Sequence, residues 1–104
     1  MKTVGKIALG FALTLMTLNA FAQNARLRSA NRAFDEYSYA DAVRGYEEFL
    51  RVDKKTDPVE RKEALEKLAY SYRRLQDTRN AERVYGQLVE NFADADSRNY
   101  LYYA

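Results

Sequence analysis

The chain has 104 residues, with 17 lysines and arginines against 15 aspartates and glutamates for a formal net charge of +2, and it contains neither cysteine nor histidine. Those two absences exclude a disulfide framework, a thiol nucleophile, a His-based catalytic triad and any Cys or His metal site. Lys2 and Lys6 account for the whole excess of base, so residues 23–104 hold 15 basic and 15 acidic side chains, and no net field remains to attract nucleic acid or a membrane surface.

The first element in chain order is a targeting segment. "MKTVGKIALGFALTLMTLNAFAQ" has a basic start at Lys2 and Lys6, an apolar centre from Ile7 to Met16 or Leu18, and small residues at Ala20 and Ala22. This is the layout of a signal peptide over residues 1–22, with cleavage expected before Gln23. Gly10, Thr14 and Thr17 interrupt the apolar run, which is short of the about 20 apolar residues that span a bilayer. Without cysteine there is no lipid anchor at the cleavage point, so no direct membrane insertion is expected after signal removal, and residues 23–104 form the expected domain.

A helix is predicted over 24–36, "NARLRSANRAFDE", with Leu27, Ala30, Ala33 and Phe34 on one stripe. Tyr37 and Ser38 form a break short enough only for a tight helix-turn-helix, so the next helix should return antiparallel. Ser38 is expected to cap it through its hydroxyl, with Asp41 reaching back in a variant capping box. Tyr39, Ala42, Tyr46, Phe49 and Val52 then share one face.

The stripe fails in "DKKTDPVERK". There Asp57 as N-cap, Pro58 in the first turn and Glu60 predict a helix over 58–75 that buries Leu65, Leu68, Ala69, Tyr72 and Leu75. After the break "QDT", a helix over 79–91 carries Ala81, Val84, Tyr85, Leu88 and Phe92. The polar "ADADS" precedes "RNYLYYA", the expected start of a fifth helix.

The two hairpins superpose in sequence. Ala30 matches Ala69, Ala42 matches Ala81, Tyr46 matches Tyr85 and Phe49 matches Leu88, always 39 residues apart, while Ala104 stands 35 after Ala69. Small residues at helix crossings and aromatics where helices stack, recurring in pairs near a 34-residue period, resemble the tetratricopeptide repeat. The resemblance covers residues 24–104, with repeat one at about 24–53, repeat two at about 58–92 and the start of repeat three at about 95–104. "YSYADAVRGYEEFLRVD" is its best match. Departures are Thr78 where an aromatic is usual, Ala33 for Tyr, Phe49 and Leu88 for Ala, and Ala93 for Pro. The implied fold is all-α, an α-solenoid of antiparallel helix-turn-helix repeats.

"NAFAQ" followed by "NARLRSANRAFDEYSYADAVRGYEEFL" also resembles the beginning of Bacteroidota envelope proteins, in which tetratricopeptide repeats precede an OmpA-like peptidoglycan-binding domain. That resemblance implies a periplasmic or outer-membrane-associated scaffold whose partner is another envelope protein or peptide. Peptidoglycan contact would come only through a further C-terminal domain. "YGQLVENFADADSRNYLYYA" is similar to tetratricopeptide adaptors of outer-membrane assembly or secretion, the alternative role.

In such arrays the first helix of each pair lines a concave groove. The groove candidates are therefore Leu27, Asn31 and Phe34, then Glu66, Tyr70, Arg73 and Arg74, then Leu101 and Tyr102; Tyr and Arg carry binding energy most often. Family members that grip a C-terminal carboxylate use Lys and Asn along the groove, and Glu66 and Tyr70 stand at comparable places here, so that mode is not expected. Ala30, Ala42, Tyr46, Ala69, Ala81 and Tyr85 are read as repeat packing. Adjacent carboxylates such as Glu47 and Glu48, or Asp94 and Asp96, lack the facing geometry of acid–base pairs, so neither catalysis nor a cofactor is expected. An enzyme-associated or carbohydrate-binding helical module is the reading from another class.

Overall fold

The computed structural model describes residues 25–53 and 56–92. The expected signal peptide and the expected third-repeat start, with Leu101 and Tyr102, lie outside the described residues. Among those described there are four helices and no strand: α1 at 25–35, α2 at Tyr39–Val52, α3 at Pro58–Arg74 and α4 at Thr78–Asn91. α2 packs on α3 and α3 on α4. No helix among the described residues is long and apolar enough to cross a membrane.

Local chemistry sets the helix ends. Asp57 caps α3, its carboxylate accepting from the Val59 amide at 3.0 Å, with Pro58 in the first turn where its missing N–H costs nothing. Asp77 caps α4 by accepting from the Asn80 amide at 3.3 Å and from the Asn80 side chain at 2.7 Å. Ser38 stands at the same place before α2 with nearly the same backbone, φ −86° and ψ 71° against −90° and 77°, yet makes no side-chain cap. The expected capping box is therefore absent: the serine hydroxyl is one atom shorter than the aspartate carboxylate, and Asp41 pairs forward with Arg44 instead of reaching back.

Both hairpins turn by one device. At the end of α1, the Tyr37 amide donates to the Phe34 carbonyl and the Ser38 amide to that of Ala33; at the end of α3, Gln76 donates to Arg73 and Asp77 to Tyr72. Every partner in the second set lies 39 residues after its counterpart. This is the Schellman arrangement, which requires a left-handed residue just past the helix. Tyr37 at φ 61° and Gln76 at φ 62° occupy that place without being glycine, at a cost of roughly 1 kcal/mol each.

The helices bury one continuous core. Ala30, Ala42, Tyr46, Phe49, Ala64, Leu65, Leu68, Ala69, Tyr72, Ala81, Val84, Tyr85 and Leu88 are buried, with Leu27, Ala33, Phe34 and Phe92 packed against them. Full burial of a side chain such as Phe49 or Leu88 contributes about 1.5–3 kcal/mol. The repeat-packing residues read from the sequence are all in this set. Two expectations fail: Val52 is 43% and Leu75 44% exposed. Leu75 sits at the C-cap of α3, where the chain leaves the helical stripe.

Asp53 takes the buried place instead of Val52, at 4% exposure. Arg26 reaches it from the start of α1 through two hydrogen bonds of 2.8 and 3.0 Å, a fork geometry suited to carboxylate. A carboxylate at a helix C-terminus opposes the helix dipole, and the guanidinium offsets that penalty. The same contact shows α1 and α2 to be antiparallel, because it joins the start of one to the end of the other. Shifted by 39 residues, Arg26 and Asp53 become Leu65 and Phe92, so an ion pair in the first hairpin stands where the second has two apolar side chains.

α1 and α2 cross closely at Ala30 and Gly45. A Cβ at Gly45 would lie 2.7 Å from the Ala30 Cβ and 3.1 Å from its Cα. Only glycine permits this approach.

Candidate partner-binding face

α1 and α3 run side by side in the same direction, since Asn31 meets Lys67 and Phe34 meets Tyr70 at one constant offset. Their shared face carries a column of rings that rises from the core to solvent. Tyr46 at its base is wholly buried; Phe34 and Tyr39 are half-buried; Tyr70 is 40% and Tyr37 78% exposed. Phe34, Tyr39 and Tyr70 form a triangle, with centroids 5.7–5.9 Å apart and each pair meeting edge to face. That is the favoured arrangement of aromatic quadrupoles. Tyr37 adds an edge contact to Tyr39 at 6.4 Å, and Phe34 one to Tyr46 at 6.5 Å.

Cations border the rings. Lys67 Nζ lies 5.5 Å from the Phe34 centroid, and the Arg74 guanidinium 5.7 Å from that of Tyr39, both within cation–π range. Lys67 also donates to Asn31 Oδ1 at 3.3 Å and pairs with Glu63 at the same distance. Asn31 accepts from the Tyr46 hydroxyl as well, so it ties α1 to α2 and α3 from within, and its oxygen faces inward rather than into a groove. Burial pushes the Tyr46 phenol well above its usual range. Tyr39 is raised too, first by burial and then by the neighbouring Tyr70, with Arg74 pulling the other way.

A second polar cluster joins three helices away from the rings. Glu47 of α2 accepts from the Tyr72 hydroxyl of α3 at 2.8 Å and from Arg83 of α4 at 2.7 Å, while the Arg83 guanidinium lies 5.9 Å from the Tyr72 centroid. Burial first, and the hydrogen bond to Glu47 second, push Tyr72 up to about 12. Hydrogen bonding to Glu47 likewise raises Arg83.

Of the groove residues read from the sequence, Asn31, Phe34, Tyr70 and Arg74 come together in the ring cluster. Glu66 is half-buried on α3, and Arg73 is exposed in its last turn. Leu27 is partly buried against the core. Three members of the face were not anticipated: Tyr37, Tyr39 and Lys67. Lys67 was within reach of sequence reasoning, lying three residues before Tyr70 and so on the same side of α3. Tyr39 shares the α2 stripe with Ala42, Tyr46 and Phe49 but is only half-buried and meets Tyr70 and Arg74. Among the described residues no cluster of acidic side chains is placed to hold a metal ion.

Comparison with protein-family models, with curated proteins and with solved structures finds no match for this chain.

Proposed function

We propose that the chain is an exported tetratricopeptide-like scaffold. Its α1–α3 face binds a peptide segment of another envelope protein, in the periplasm or at the outer membrane, as the N-terminal part of a longer OmpA-family-like protein. One observation carries the repeat reading: the two hairpins share turn hydrogen bonds, left-handed positions and core residues at a single offset of 39. A unit that recurs with its turn and its core positions intact is what stacks into a solenoid. Support for binding comes from the ring column, which ends in an exposed Tyr37 and a part-exposed Tyr70 beside Arg74. Aromatic and arginine side chains of this kind are those that most often anchor partners. The export part rests on the charge and hydropathy layout of residues 1–22.

Photo-crosslinking in the producing cells tests the reading. A crosslinker at position 70 should capture a discrete envelope protein, and one at position 79, on the exposed start of α4, should not. Equal capture from both positions, or from neither, would count against the face. Cell fractionation that finds the chain in the cytoplasm with Met1 intact would remove the export part.

A further inference from the structure

The face has a polar corner as well as rings. Among the described residues, Arg26, Arg32, Arg44, Lys67 and Arg83 are held by carboxylates, whereas the exposed Arg74 is held by the ring of Tyr39 and forms no ion pair. A guanidinium held over a ring makes no hydrogen bond to it through its N–H fork, and that fork matches the two oxygens of a carboxylate. The Tyr70 ring stands 5.9 Å from that of Tyr39, and the two phenol groups interact. Each phenol carries one hydroxyl hydrogen, and the contact between the two engages one of them. Guanidinium and phenols thus gather at one exposed corner with the guanidinium fork and one phenol hydrogen to spare, and no carboxylate among the described residues answers Arg74.

We propose that the Tyr39–Tyr70–Arg74 corner receives the side-chain carboxylate of an aspartate or glutamate in an extended partner peptide, with an apolar neighbour of that acid lying over Tyr37. This rests on the α1–α3 face being the partner surface. The ring surface extends to both sides of the corner, to Phe34 and Lys67 one way and to Tyr37 the other. A chain passing through therefore makes contacts before and after its acid, which a terminal carboxylate would not. One cation with a phenol donor beside it suits a single negative charge, and residues 23–104 carry no net charge with which to hold a polyanion.

The test uses the full chain and short peptides of alternating glutamate and phenylalanine, acetylated and amidated at their ends, beside the same peptides with glutamine for glutamate. Affinity is read by fluorescence anisotropy, and contact by NMR of ring-labelled aromatics. The glutamate peptide should bind about tenfold more tightly than its glutamine counterpart, the scale of one charge-assisted fork, and lose that advantage in high salt. Arg74→Gln should abolish the difference, Tyr70→Phe should narrow it while keeping the ring, and Arg51→Gln, on the exposed side of α2, should leave it unchanged. Thermal melts of each variant confirm that it is folded.

A difference that survives Arg74→Gln overturns the proposal. So does a glutamine peptide with a free C-terminus that binds as tightly as the glutamate peptide. Equal binding of both blocked peptides, with shifts at Phe34 and Tyr39, removes carboxylate recognition but leaves the face a peptide surface. No binding of either peptide removes the proposal and leaves the scaffold reading to the crosslinking result.

Discussion

Gly45 and Gly86 both lie inside helices, and alanine at either position removes the same backbone freedom, which favours each change by about 0.8–1 kcal/mol. Their surroundings differ. A Cβ at position 86 meets nothing within 4 Å, so Gly86→Ala should realise the whole gain. At position 45 the new Cβ would fall 2.7 Å from the Ala30 Cβ, about 0.7 Å short of ordinary contact, and 3.1 Å from the Ala30 Cα. A backbone atom cannot rotate aside, so α1 must lift from α2, and overpacking of this kind costs about 1–3 kcal/mol. Taking the upper end because backbone is involved, and subtracting the helix-forming gain, Gly45→Ala should lose about 2 kcal/mol. For a domain of this size that corresponds to a fall in Tm of roughly 8–16 °C, against a rise of roughly 4–8 °C for Gly86→Ala. Thermal and urea unfolding followed by far-UV circular dichroism would measure both. Ala30→Gly in the Gly45→Ala background should restore part of the loss, giving a favourable coupling in the double-mutant cycle. A Gly45→Ala variant as stable as the parent would refute the close crossing of α1 and α2.

Gln76→Gly should raise stability by about 1 kcal/mol, because glycine adopts φ 62° without the steric penalty a side chain carries there; an unchanged or lower urea midpoint would contradict the left-handed turn. Arg26→Leu alone should lower the Tm by leaving the Asp53 carboxylate, only 4% exposed, without its partner, whereas Arg26→Leu with Asp53→Phe, copying Leu65 and Phe92, should recover it. Two variants of equal Tm would mean the pair contributes nothing. Tyr72, pushed up to about 12 in the folded chain against an ordinary value of 10, retains a proton that the unfolded chain gives up. Its contribution is therefore complete below about pH 10 and is lost as pH rises toward about 12. In NMR titrations of ring-labelled tyrosine, Glu47→Gln should bring Tyr72 part of the way back toward 10, since burial remains; a Tyr72 titrating near 10 in the parent would contradict the Glu47 contact.

Periodicity made most of the helical layout legible. Steps of three and four residues picked out Ala42, Tyr46 and Phe49, and the Asp57–Pro58 pair marked the start of α3. The 39-residue match picks out Ala30 with Ala69, Ala42 with Ala81, Tyr46 with Tyr85 and Phe49 with Leu88, all of them buried. What it missed depends on contacts distant in sequence or on atomic distances. Val52 satisfies the helical spacing as well as Phe49 does, but the buried place belongs to Asp53 because Arg26 lies 27 residues away to meet it. Ser38 and Asp77 look alike as caps, and only side-chain reach separates them. Gly45 carries no hydropathy signal at all; its role is the gap it leaves for Ala30. Asn31 and Tyr39 show the same limit at the face. Each lies on a predictable stripe, but whether its polar atom turns inward or outward is decided by Tyr46, Lys67, Tyr70 and Arg74, which come from other helices.

The two closures of the hairpins have a genetic consequence. Arg26 pairs with Asp53, while the matching positions of the second hairpin hold Leu65, buried in the core, and Phe92, packed against that core. A crossover between the two units inside a hairpin would join Arg26 to Phe92 or Leu65 to Asp53, setting a lone charge against a side chain that cannot answer it. Exchanges that carry both ends of a hairpin together, cut in the connection that follows Asp53, keep each pair whole. Complete hairpins are thereby the units that can be exchanged without stranding a buried charge.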